Sequence, residues 1–79
     1  MKFAERFATE RKNKKMSVED AAAACKISRS YVVLIESGKR RPGTKIIPKI
    51  AEAFGLPVNV ILNWYLEDMR GRLEEKLGK

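Results

Sequence analysis

The sequence predicts an all-α fold of five helices, and two observations carry that prediction. No segment alternates apolar and polar residues with the period of two that a half-buried strand needs. Instead Gly38, Pro42-Gly43, Gly55 and Pro57 punctuate the chain. The pieces between them have the lengths and the three- and four-residue apolar spacing of short helices.

The first helix is expected over residues 2–13, where Phe3, Ala4, Phe7 and Ala8 recur at helical spacing. Ser17 followed by Val18-Glu19-Asp20 reads as an N-cap with acids in the first turn, opening a second helix that runs through Cys25. Ser28 is the next N-cap, and a third helix should run to Ser37 and stop at Gly38, which tolerates the left-handed conformation of a helix end. Lys39-Arg40-Arg41-Pro42-Gly43 is a basic loop. Thr44 is expected to cap a fourth helix ending at Phe54, with Pro48 in its first turn and Gly55 closing it. A fifth helix should start at Pro57 and reach about Leu77.

Two helices joined by three or four residues and followed by a basic loop form a helix-turn-helix layout. Stepping ~100° per residue, Val32 and Ile35 share the inward face of the third helix, with Ile27 closing the same cluster from the turn. Ser30, Val33, Leu34 and Ser37 point away, and Arg29 lies at the border near the helix N-terminus. That end of a recognition helix is the one that reaches base edges.

Charge and composition narrow the function. The 79 residues form one small domain with a net charge of +7. Residues 1–49 hold thirteen basic and five acidic side chains, a net +8, whereas residues 50–79 hold four and five, a net −1. A basic front half on a nearly neutral back half fits one polyanion-binding face, although a solvated lysine-rich surface would give the same count. There is no histidine, and Cys25 is alone, which excludes an internal disulfide, a Cys/His zinc site and a His-activated nucleophile. A helical chain of this length has little room for a substrate cavity, so neither an enzyme nor a cofactor is expected. The longest apolar runs are Ala21 to Cys25 and Tyr31 to Ile35. A membrane span needs roughly 18 residues, far more than either. The opening Met-Lys-Phe-Ala-Glu-Arg has no apolar stretch behind it, so the expected location is the cytoplasm.

Residues 3–62 resemble the Cro/Xre-type helix-turn-helix regulators. The resemblance is carried by Arg11, Met16-Ser17, Ala22, Ile27-Ser28, Val32, Ile35-Glu36-Ser37-Gly38-Lys39-Arg40, Pro42, Ile50-Ala51 and Phe54-Gly55-Leu56. It implies a five-helix, phage-repressor-like helix-turn-helix domain over residues 1–65. Residues 66–79 extend its last helix. It also implies sequence-specific binding to double-stranded DNA, as a homodimer and in transcriptional repression, with the third helix in the major groove. The chain departs from the pattern at three places. Val18 stands where such regulators often carry a phosphate-binding Gln, and Lys26 and Lys15 stand where they often carry Gly.

The candidate site follows from the residues and the resemblance together. Arg29, Ser30, Val33 and Leu34 are the candidate base readers. Arg29 could take a guanine through two hydrogen bonds, or pair with a phosphate or a nearby acid instead. Val33 and Leu34 could meet thymine methyl groups, serve a protein partner, or, for Leu34, pack under the Arg40–Pro42 loop. Ser17, Ser28, Lys39, Arg40, Arg41, Thr44 and Lys45 are the candidate phosphate binders. Arg11 and Glu36 are implied to form a structural ion pair. Along the extension, Leu66, Met69, Leu73 and Leu77 follow three- and four-residue steps. They would either form a dimer contact or fold back on the first helix. An alternative to DNA regulation is a protein-interaction module of the same fold, antitoxin-like or anti-regulator, using the apolar third-helix surface or the last helix.

Overall fold

A computed structural model describes residues 2–78. Its helices are α1 (Phe3–Asn13), α2 (Val18–Cys25), α3 (Arg29–Glu36), α4 (Ile47–Phe54) and α5 (Val58–Lys76). There is no strand among the described residues.

Local chemistry sets most helix ends. The Ser17 hydroxyl accepts from the Asp20 N–H at 2.9 Å while the Asp20 carboxylate accepts from the Ser17 N–H at 3.0 Å, a reciprocal cap that opens α2. The Ser28 hydroxyl accepts from the Tyr31 N–H at 3.0 Å and opens α3. Gly55, at φ 66°, closes α4. Lys15 and Lys26 both hold φ 57°, a region that glycine enters without strain and a lysine does not. Lys26 ends α2, and its left-handed turn lets the chain pass through Ile27 into α3.

Thr44 does not cap the fourth helix. Residues 44–46 form a turn, with the Ile46 N–H donating to the Gly43 carbonyl at 3.0 Å, and α4 starts later than expected, at Ile47. Pro48 is the reason. With Thr44 as cap, the first helical hydrogen bond would come from the nitrogen of residue 48, and proline has no N–H to give. With Ile46 as cap that bond comes from Ile50, at 3.0 Å, and Pro48 falls harmlessly in the first turn.

All five helices feed one core. Phe3 and Phe7 of α1, Ala22 and Cys25 of α2, and Val32 and Ile35 of α3 meet Ile47, Ile50, Ala51 and Phe54 of α4. Ile61 and Trp64 of α5 complete it. Phe7 meets Phe54 edge-on at 5.1 Å, and Phe3 meets Trp64 edge-on at 5.9 Å, which fastens α1 to both α4 and α5. Cys25 is wholly buried, and burial pushes its thiol up to about 11.

The fifth helix is one continuous rod through residues 65 and 66. One face packs on α1. There the buried Asp68 carboxylate accepts from the Phe3 N–H at 3.4 Å and from Arg72 at 3.1 Å, and Arg6 reaches Glu67 at 3.0 Å. The Leu66, Met69, Leu73, Leu77 stripe lies on a different face. It is left exposed, with Leu66 at 59% and Leu77 at 74%. No helix among the described residues is long and apolar enough to cross a membrane.

Candidate nucleic-acid interface

The candidate interface grows from the joint between α2 and α3. Val32 and Ile35 are buried, so the opposite edge of α3 faces solvent. That edge carries Ser28, Arg29, Ser30, Val33 and Ser37, and Val33 is 44% exposed despite being apolar. Leu34 is only half-buried, although helical stepping turns it away from the core. Its carbonyl anchors the next segment, accepting from the backbone N–H groups of Lys39 at 3.1 Å and Arg40 at 3.2 Å. The Ser37 hydroxyl donates to the same carbonyl at 3.0 Å.

The basic loop is therefore tied to the C-terminal end of α3, not free. Gly38 turns it at φ 77°, and Pro42 within it is buried. Lys39, Arg40, Arg41, Thr44 and Lys45 are all exposed. The two arginines lean on different helices. The Arg40 guanidinium lies over the Tyr31 ring at 5.5 Å, on α3, and the Arg41 guanidinium lies over the Tyr65 ring at 5.8 Å, on α5. Arg41 thereby borders a shallow groove with Met69, Arg72, Leu73 and Lys76.

The cap residues have defined hydrogen bonds. The Ser17 and Ser28 hydroxyl oxygens both accept within the protein, which leaves each hydroxyl proton as a donor. The Ser17 N–H is taken by Asp20. Both acids at the N-terminus of α2 are thus engaged, because Glu19 accepts from the Nε of Arg29 at 2.6 Å. The Arg29 guanidinium, hydrogen-bonded to Glu19, holds that carboxyl below the usual carboxylate range. The sequence allows Arg29 an acidic partner without naming one.

Behind this face, Arg11 of α1 and Glu36 of α3 pair through two hydrogen bonds, Nε to Oε2 at 2.6 Å and Nη2 to Oε1 at 3.1 Å. The remaining arm of Arg11 donates to the Met16 carbonyl at 2.8 Å. The side chains are only 12% and 16% exposed. The hydrogen bond to Glu36 raises the Arg11 pKa further above its ordinary value, outweighing the opposing effect of burial. The pair fixes the C-terminal end of α3 and the turn before α2 to the same scaffold helix. Among the described residues, no group of His, Cys, Asp or Glu could hold a metal ion.

A profile described as helix-turn-helix matches residues 8–61, well over half of the chain. The chain belongs to that family. It is a Cro/C1-type helix-turn-helix DNA-binding domain. No curated protein matches the sequence. In this helix-turn-helix domain α2 and α3 are the two helices of the motif, the Lys26–Ser28 segment is its turn, and α1, α4 and α5 are the scaffold. The profile ends inside the first turn of α5, so most of that helix, with its apolar stripe, lies beyond the matched residues.

Proposed function

We propose that this helix-turn-helix domain is a dimeric, sequence-specific transcriptional repressor working in the cytoplasm, with α3 in the major groove. The observation that supports it best is the solvent-facing edge of α3, with Arg29 and Ser30 at its start and a three-cation loop anchored at its end. A helix whose N-terminal side chains read bases, followed by a loop that grips the backbone, is the working geometry of the motif.

In this reading Arg29 takes a guanine, Ser30 adds a hydroxyl contact, and Val33 meets a thymine methyl with Leu34 at the rim. Phosphates are held by Ser17, Ser28, Lys39, Arg40, Arg41, Thr44 and Lys45. Two copies pair through Leu66, Met69, Leu73 and Leu77 and place their α3 helices about one DNA turn, ~34 Å, apart. The operator is then a near-palindrome.

Selection of bound duplexes from a random pool tests this directly. An enriched two-half motif is expected, with affinity falling steeply as salt rises. Enrichment of nothing would remove the sequence-specific role. Arg29→Ala should cost more than ~1 kcal/mol on the selected duplex and relax preference at one base pair. Equal loss on random DNA would reassign Arg29 to phosphate. Sedimentation of the full chain should give a dimer, and Leu66→Glu with Leu73→Glu should give a folded monomer. A wild-type chain that stays monomeric at high micromolar concentration would overturn the DNA-independent dimer. The exposed stripe also favours the rival reading, a module that docks a partner protein. Tight, salt-insensitive partner binding without DNA affinity would select it.

A further inference from the structure

Resting on the reading that α3 enters the major groove with Arg29 foremost, we infer that Glu19 is a positioning residue that sets base specificity by orienting the Arg29 guanidinium. Glu19 accepts from Arg29 through Nε alone, at 2.6 Å, and the other hydrogen bonds among the described residues leave Nη1 and Nη2 of Arg29 untouched. A guanidinium can meet a two-acceptor partner side-on, through Nε and one Nη, or end-on, through Nη1 and Nη2. Occupying Nε removes the side-on edge. The end-on fork that remains matches the O6 and N7 acceptors of guanine.

Three features of the chain make Glu19 suited to this. It stands in the first turn of α2, whose start is locked by the reciprocal Ser17–Asp20 cap, so its backbone is a fixed reference for a flexible arginine. Val18 gives the start of α2 no polar side chain, so among the side-chain hydrogen bonds of the described residues Glu19–Arg29 alone joins α2 to α3. And Glu19 is a carboxylate on a face proposed to meet phosphates, which weakens binding to any DNA. Orientation of Arg29 is the compensating gain. The side chains of the pair are 63% and 64% exposed. Such an exposed pair contributes little to folding, so its removal leaves the domain intact.

This predicts changes of opposite sign on two kinds of DNA. The probes are the duplex selected from a random pool by the wild-type chain and a scrambled duplex of the same composition. Glu19→Ala should bind the scrambled duplex ~2–3-fold more tightly, because a negative charge is gone. Its selected-to-scrambled affinity ratio should fall ~5–10-fold, with the lost preference confined to one G·C pair. Glu19→Gln, which keeps an acceptor for Nε, should retain most of the ratio. In an Arg29→Ala background, Glu19→Ala should leave the ratio unchanged. Circular-dichroism melts of all variants should superimpose on the wild type within a few degrees.

A motif from the wild type together with an unaltered or increased ratio for Glu19→Ala overturns this inference alone, an increase meaning that Glu19 masks Arg29. A ratio that still falls in the Arg29→Ala background also overturns it, because Glu19 would then act on DNA directly. A wild-type chain that enriches no motif removes the sequence-specific reading, and the inference with it.

Discussion

Replacing Glu36 by alanine should destabilise this domain without touching its DNA-facing edge. The substitution strands the Arg11 guanidinium, now holding only the Met16 carbonyl, in a site where it is 12% exposed. Two charge-assisted hydrogen bonds, at 2.6 and 3.1 Å, disappear. Breaking one side of a fully buried pair costs ~3–5 kcal/mol. Residual solvent access here lowers that to ~2–3 kcal/mol, by the partial screening of exposed charges. A domain of this size has roughly 4–12 kcal/mol in total. At ~4–8 °C per kcal/mol, the melting temperature should fall by about 10–20 °C. Arg11→Ala should fall at least as far, because it also frees the Met16 carbonyl. The double mutant removes both charges and should be less destabilised than the sum of the singles, by ~1–2 kcal/mol. Thermal melts by circular dichroism on the four chains give this coupling. Additivity within ~0.5 kcal/mol would show that the two side chains do not act as a pair and would refute the reasoning.

The remaining predictions come from other parts of the molecule. Lys26→Gly and Lys15→Gly each relieve a lysine held at positive φ. Each should raise stability by up to ~1 kcal/mol in a denaturant titration, whereas a loss would mean that those side chains hold contacts worth more than the strain. Arg40→Ala with Arg41→Ala should weaken binding to selected and random DNA alike and flatten the log-affinity versus log-salt slope by about one unit for each phosphate released; an unchanged slope would make the loop merely solvated. Cys25, fully buried with its thiol pushed up to about 11, should resist a thiol reagent at pH 8 until the domain unfolds. Its raised value also means that the folded state keeps a proton that the unfolded chain gives up from 9.0 upward, so stability should decline as pH rises from 9.0 towards 11, and Cys25→Ala should lack that decline.

The sequence alone determined what local chemistry determines. Gly55 and the caps at Ser17 and Ser28 state the ends of α2, α3 and α4 in residues that have few other uses there, and the inward pair Val32–Ile35 follows from helix geometry. The expected cap at Thr44 failed for a local reason that was also legible: a proline four residues on cannot donate the first helical hydrogen bond. Only the tertiary structure could decide what depends on two helices meeting. It left Leu34 half-buried though turned away from the core, seated Arg40 on Tyr31 and Arg41 on Tyr65, and left the Leu66–Leu77 stripe on a face of α5 that α1 does not cover. It also gave Arg29 its partner. Arg29 and Glu19 are ten residues apart and on different helices, and their side chains meet because the left-handed turn at Lys26 folds α3 back across α2. One backbone angle, borne by a lysine against its own preference, decides how the outer edge of α3 is presented.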